Sequence, residues 1–452
     1  MKNTLATPAD TTAVLDSVGV GVVALAVFAI VVLAQLPLVL NPGYFSHDEL
    51  QWAAIGAQGG AFDWGAIQTF QYRPLTFTLW SQLSRALFDQ PQAFHAVIVA
   101  WGALNAALLA VFGRRLGMWM PAALFGALAF ALGPYAMYVH GWVGTLGDLL
   151  WMTCALVIGI VVARSEDRIA IVAMSLLLTV VALLAKEAAV SIPALLALMW
   201  WFSGRQRRWG LATVASAIPV AIYLMLRIGV LLFAPREAEG YVWSIGHVPL
   251  RWSEYQLFVP NIAVFEAGNA LSRGIGDKRV LLSAALWLAL SIVLARVGWR
   301  WLAAFLLGGL AALAPVLVLG ASTNHYGYGF AALTALVVAA VWSRAGRGGR
   351  AVIAVLAILN LWHGVNVMRG MRHVGEVQSV FSPALANAVR ESGQPVLRLL
   401  PATAGDAWIF ERLTHEISSY QGIVIGQRVQ LVQPDTAADY RIETDGRLTL
   451  LR

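Results

Sequence analysis

Phe45-Ser46-His47-Asp48-Glu49 sets two carboxylates side by side directly after a long apolar run. A short loop later, Tyr72-Arg73-Pro74-Leu75 brings a single guanidinium. A carboxylate in such a place can take a proton from a hydroxyl that is about to attack. A guanidinium can hold a departing phosphate through a forked pair of hydrogen bonds. Four further polar positions interrupt apolar stretches: His140, Asp148 in Gly147-Asp148-Leu149-Leu150, the pair Lys186-Glu187, and Asn324-His325-Tyr326-Gly327-Tyr328. A charge at bilayer depth costs about 2.5–3.5 kcal/mol, so such residues are functional candidates by default. Each also has a plainer reading. Asp48, Glu49 and Asp148 could open helices, where a carboxylate complements the dipole. Lys186-Glu187 could ease a turn, His140 could be a hydrogen-bonded core histidine, and the 324–328 cluster could be an interfacial aromatic belt.

The 452-residue chain is 59% hydrophobic and only 12% charged, with a mean hydropathy of +0.71. Soluble domains carry about 25% charged residues, so this is a polytopic membrane protein. The formal charge of +7 belongs to basic loops between spans, not to a nucleic-acid patch. Cys154 is the only cysteine, which excludes an intramolecular disulfide and leaves it as a small buried hydrophobe. Residues 1–18 are polar, and the run from Val18 to Leu40 is long enough to span without an Ala-x-Ala site, so no cleavable signal peptide is expected.

Apolar spans are predicted near 19–40, 92–112, 120–138, 147–163, 168–185, 188–202, 210–233, 280–296, 301–320, 329–343 and 351–367, about eleven helices. Arginines fall in alternate loops: Arg114 and Arg115, Arg164 and Arg168, Arg205 to Arg208, Arg296 and Arg300, then Arg344, Arg347 and Arg350. The positive-inside rule then puts the N-terminus in the cytoplasm, and the C-terminus and all the polar candidates outside. Two long outer loops, 41–91 and 234–279, follow from this topology. In the first, Leu75, Leu79, Leu83 and Leu87 recur every fourth residue behind Pro74, which predicts an amphipathic helix in the membrane plane. Charge density rises after Met371. A transmembrane unit 1–371 and a small extracytoplasmic α/β unit 372–452 are expected, the latter with helices near 383–392 and 405–417 and strands near 395–400, 422–432 and 447–451.

Taken together, these motifs resemble the GT-C superfamily of integral-membrane glycosyltransferases, and within it the protein O-mannosyltransferase-like branch. Phe45 to Glu49 looks like that branch's acidic first-loop motif, whose Asp is the proposed catalytic base. Tyr72-Arg73-Pro74-Leu75 resembles the segment that opens its interfacial helix. His140 to Trp142 with Gly147-Asp148-Leu149-Leu150, and Ala185-Lys186-Glu187 with Pro193, are similar to further motifs of the tetratricopeptide-bearing O-mannosyltransferases. Leu146 stands where that pattern has an arginine, and the repeats themselves are absent. The likeness covers about the first two hundred residues. It implies a polyprenyl-phosphate sugar donor dissolved in membrane lipid, an extracytoplasmic acceptor and inversion at the anomeric carbon.

On this reading Asp48, Glu49 and Asp148 are the catalytic candidates. Arg73, Lys186 and Tyr72 would bind the donor phosphate, with His140, Glu187, His325 and Tyr326 in support. His47, Asp48, His140 and His325 have ligand types that suit zinc or manganese, but no His-x-x-x-His or Cys-x-x-Cys spacing accompanies them, and no metal is assigned. No P-loop, dinucleotide fingerprint or nucleophile elbow is present, which favours a membrane-dissolved donor over a soluble nucleotide sugar. The alternatives are a lipid-linked sugar flippase or transporter, which needs polar residues leading to both faces, and a surface-polysaccharide polymerase or ligase. The composition points to a bacterial inner membrane.

Overall fold

The structure is a computed structural model and describes residues 8–57, 62–233, 239–414, 417 and 419–451. The start of the polar N-terminal stretch, and parts of both outer loops and of the 405–417 helix expected in the tail, lie outside the described residues.

All eleven predicted spans contain helix. Among the described residues, however, seven helices are long and apolar enough to cross a membrane, or eight if the bent pair Met120–Ala131 and Pro134–Gly141 is one span. The other three expected spans, near 19–40, 188–202 and 329–343, are helical as well. Glu187–Phe202 is a short apolar helix and Tyr328–Val341 has 14 residues, whereas the first helix, Pro8–Ala34, has 27. The shortening has a local cause. The polar candidates sit where these helices would otherwise continue, and short 3-10 turns at Val143–Thr145, Glu187–Ser191 and Asn324–Gly327 replace regular helix there. Gly133-Pro134 breaks the bent pair by 58°, as expected of a proline that can give no backbone donor.

Antiparallel packing collects the ends. Arg208 bonds the Ala163 carbonyl and Arg344 lies over Trp301, so the arginine-bearing turns form one end of the bundle. The 3-10 turns, the helix His47–Ala57 and the helix Pro74–Leu87 form the other. Pro74 occupies the first turn of its helix, as predicted, but the buried face is Thr76, Phe77, Trp80, Ser81 and Ser84. Trp52 stacks on Phe77 at 4.6 Å and packs beside Trp80, which fixes the two short helices together. The leucine stripe is partly buried, with Leu83 and Leu87 packed against the core, and the exposed positions are Gln82, Arg85 and Ala86.

The last of the long apolar helices, Arg347–Glu391, runs unbroken for 45 residues. The expected division after residue 371 falls inside it. Beyond that point the helix becomes amphipathic, burying Val374, Val377, Phe381, Leu385 and Val389 at helical spacing. The C-terminal α/β unit packs on this stripe: Phe410 meets Phe381 at 5.1 Å, and Arg428 bonds the Val389 carbonyl. Its sheet has the order Val429–Leu431, Leu397–Pro401, Tyr440–Ile442, Leu448–Leu450. Leu397–Pro401 is parallel to both neighbours, with Leu397 opposite Val429 and Leu399 opposite Tyr440. The last pair is antiparallel. The strand expected over 422–432 is instead a small hairpin followed by Val429–Leu431, and Tyr440–Ile442 was not foreseen. The apolar core is continuous from the membrane helices into this unit.

Candidate active site

Three segments from distant parts of the chain are knitted together at Gly147. A Cβ there would lie 2.7 Å from the Ala185 carbonyl and 2.9 Å from the Thr76 hydroxyl, so only glycine allows the approach. Thr76 donates to that same carbonyl at 2.7 Å. The residues next to these contacts are thereby forced together: Lys186 Nζ bonds Asp148 Oδ2 at 2.9 Å, and Arg73 Nε bonds Glu187 Oε2 at 2.7 Å. Asp148 opens the helix Leu146–Arg164, where its charge also meets the positive end of the dipole. The Lys186–Asp148 pair is sealed, with side chains 6% and 1% exposed. The Arg73–Glu187 pair is more open, and Arg73 is engaged through Nε alone, which leaves its terminal nitrogens for an incoming group.

Tyr326 carries Lys186 over its ring at 5.4 Å, and His325 packs between Tyr326 and Trp142. Burial first, then the fields of Lys186, Arg73 and Arg412, hold His325 well below its ordinary pKa, so it is a neutral ring. Its Nδ1 is buried without a hydrogen-bond partner.

Asp48 reaches the cluster from another direction. The loop before it is pinned to the middle of the 45-residue helix: Tyr44 N–H donates to Gln378, Asn41 donates to the Met371 carbonyl, and Gly43 lies so close to the Gly375 carbonyl that a Cβ would sit 2.2 Å from it. Phe45 is then driven into an aromatic nest of Tyr138, Trp142 and Phe265. Asp48 emerges beyond it, 32% exposed and 3.3 Å from His47. The helix that Asp48 opens packs through Trp52 on Phe77 of the helix that Arg73 precedes, so the two motifs lie on neighbouring elements.

Two arginines complete this picture, and sequence reasoning did not mark either. Arg412, from the C-terminal unit, lies 4.2 Å over the Phe45 ring and near Trp142, bonds the Tyr138 hydroxyl and pairs loosely with Glu266 at 3.5 Å. It feels the charge of Asp48 and Glu49. Nothing in the local sequence around Arg412 distinguishes it from other surface arginines. Arg227 sits inside the helix Arg207–Phe233, holds the Ile67 and Phe70 carbonyls and covers the Tyr72 and Tyr223 rings, which fixes the loop that delivers Arg73. A lone charge in an apolar run was the available signal for it.

Other candidates are placed differently from the expectation. The Tyr72 hydroxyl is taken by the Trp64 carbonyl, so it offers nothing to a phosphate. His140 is wholly buried, with its ring nitrogens on Gln35 and Tyr328. Glu49 reaches back to the Ser46 N–H at 2.7 Å, one arm of a capping box at the start of its helix. Burial first, then Asp48, push its carboxyl up to about 8. Among the described residues, no three His, Cys, Asp or Glu side chains converge as metal ligands.

Comparison with protein-family models gives no match, and no curated protein matches the chain. The solved structure of ArnT from Cupriavidus metallidurans bound to undecaprenyl phosphate is similar at 17% identity and a TM-score of 0.36, over 91% of this chain and 86% of that one. A likeness this distant assigns no residue and no activity.

Two outcomes follow from this geometry. Lys186→Met leaves Asp148 buried without its cation, and breaking a sealed pair costs about 3–5 kcal/mol. Its thermal midpoint in detergent should fall well below that of the parent, and Lys186→Met/Asp148→Leu should recover most of the loss. An undisturbed midpoint in the single variant would mean that the pair is not sealed. For Glu49 the value in the fold lies above the ordinary carboxylate value of 4.5, so the folded state holds the proton more tightly. That contribution to stability is full below about 4.5 and is lost as the pH rises through about 8. The midpoint should drop between pH 6 and pH 9, and Glu49→Gln should flatten the drop.

Proposed function

We propose that the chain is an inverting glycosyltransferase that moves a sugar from a polyprenyl-phosphate donor to a hydroxyl acceptor on the extracytoplasmic side of the membrane. The observation that carries this reading is the pairing of Lys186 with Asp148 and of Arg73 with Glu187 at the end of the bundle opposite the arginine-bearing turns, with a half-open carboxylate, Asp48, at the start of a helix that packs through Trp52 on the helix Arg73 precedes. By the positive-inside rule that end is extracytoplasmic.

In this reading Asp48 accepts the proton of the acceptor hydroxyl, and its partial exposure leaves room for the acceptor. The acceptor oxygen forms the new bond to the anomeric carbon from the face opposite the phosphate. The carbon–oxygen bond to phosphate breaks, and the electron pair leaves with polyprenyl phosphate. Arg73 would take the phosphate on its terminal nitrogens, which are aligned because Glu187 fixes Nε. Lys186 acts at one remove: Asp148 already balances its charge, and it holds the wall of the site. The catalytic assignment for Asp148 therefore becomes a positioning role, and Glu49 sets the helix that presents Asp48. Arg412 carries a charge from the C-terminal unit to the Asp48 side, where an acceptor would lie. Preorganised charge at the site of departing phosphate is the main catalytic contribution of such an arrangement.

Losing a placed general base costs about 10²–10⁴ in rate. Asp48→Asn in proteoliposomes supplied with a labelled polyprenyl-phosphate sugar and an extract of acceptors should keep the parent's thermal midpoint and lose transfer by that factor. Transfer at the parent's rate would remove Asp48 from the mechanism. Labelled lipid crossing liposomes without any acceptor would favour a transporter instead.

A further inference from the structure

A cavity lies away from the Asp48 cluster. It opens among the arginine-bearing turns and has a volume of about 750 Å³, within the rough 300–1,000 Å³ range of small-ligand sites. One wall is the helix Leu146–Arg164, which lines it from Trp151 to Ala163. The twelve helical steps from Trp151 to Ala163 measure roughly 18 Å, a little over half of the ~30 Å hydrocarbon core. A chain entering from one leaflet could therefore lie along it without crossing the midplane. The walls are aliphatic and aromatic, and Trp151, packed tightly on Gly329, stands at the inner end.

The mouth differs in kind. Arg115, Arg208 and Arg344 line it, and no acidic side chain does among the described residues. Arg115 Nε is buried there with no hydrogen-bond partner. Arg208 is oriented by Gln206 and the Ala163 carbonyl, and Arg344 rests on the Trp301 ring. Trp119 and Trp209 line the same opening, at the level where amphipathic rings anchor in an interface. An apolar shaft of lipid depth under three cations is complementary to one class of molecule.

We propose that this cavity binds an anionic glycerophospholipid of the leaflet at the arginine-rich end, with an acyl chain along the helix Leu146–Arg164 and its phosphate among Arg115, Arg208 and Arg344. The site is distinct from the Asp48 cluster and does not depend on the reading of that cluster. The positive-inside rule assigns this leaflet to the cytoplasmic side, whose anionic lipids attract basic residues.

The test is native mass spectrometry of the purified full chain, titrated with phosphatidylglycerol and with phosphatidylcholine of the same acyl composition. Near-surface arginines contribute about fivefold each in affinity, so phosphatidylglycerol should be retained at least about tenfold more tightly. Arg115→Gln/Arg344→Gln should abolish the preference, whereas Arg115→Lys/Arg344→Lys should keep most of it. Ala155→Trp, which fills the shaft, should weaken retention of phosphatidylglycerol at an unchanged thermal midpoint. Equal retention of the two lipids by the unaltered protein would overturn the proposal, and that comparison needs no variant to fold. A preference that survives Arg115→Gln/Arg344→Gln would also overturn it.

Discussion

Lys186 and Asp148 lie 2.9 Å apart in a place that neither could occupy alone. A buried charge in a helical bundle is tolerated only with a partner and good geometry, so the pair obliges the start of one helix to meet the end of another. Most of the site's architecture follows from that requirement. Gly147 supplies the space, Thr76 ties in the first outer loop through the Ala185 carbonyl, and Glu187, next to Lys186, is left facing Arg73. A set of residues scattered over more than a hundred positions is thereby held in one small volume by one sealed ion pair and a few backbone contacts.

The sealed pair and the open pair differ in consequence. Lys186 is buried and balanced, which suits a structural cation whose field is fixed before any ligand arrives. Arg73 is 18% exposed and held by one nitrogen, which suits direct contact with an anion. Asp48 is more open than Glu187 or Asp148, and it is delivered by a loop pinned to a different helix. Asp48 and Arg73 thus rest on separate supports. The C-terminal unit closes the arrangement from a third direction through Arg412, which binds it to the site as well as to the long helix.

Much of this was legible in the sequence, for physical reasons that can be named. Apolar runs and the alternation of arginines fix where helices lie and which ends meet, because burial and interface charge act over short stretches of chain. Asp48, Arg73, Asp148, Lys186 and Glu187 stood out because a charge beside an apolar run is expensive. What could not be read was pairing. The sequence does not show that Gln35 and Tyr328 take both nitrogens of His140, or that Trp64 takes the Tyr72 hydroxyl. Both outcomes depend on residues far away in the chain. The 45-residue helix was read as two because its composition changes at residue 371, but a helix leaving a membrane needs only to exchange an apolar surface for an amphipathic one. Arg412 carried no local signal, since its role comes from where the appended unit docks.

The central claim is that a phosphate-linked lipid is recognised at the end of the bundle where Asp48, Arg73 and Arg412 meet. The most direct measurement is an experimental structure of the full chain with a polyprenyl phosphate bound. The account predicts density for the phosphate within hydrogen-bond distance of the Arg73 guanidinium, with Asp48 across the same space and the Lys186–Asp148 pair intact behind it. A phosphate seated elsewhere, with Arg73 turned wholly onto Glu187 and Asp48 facing bulk water, would contradict it.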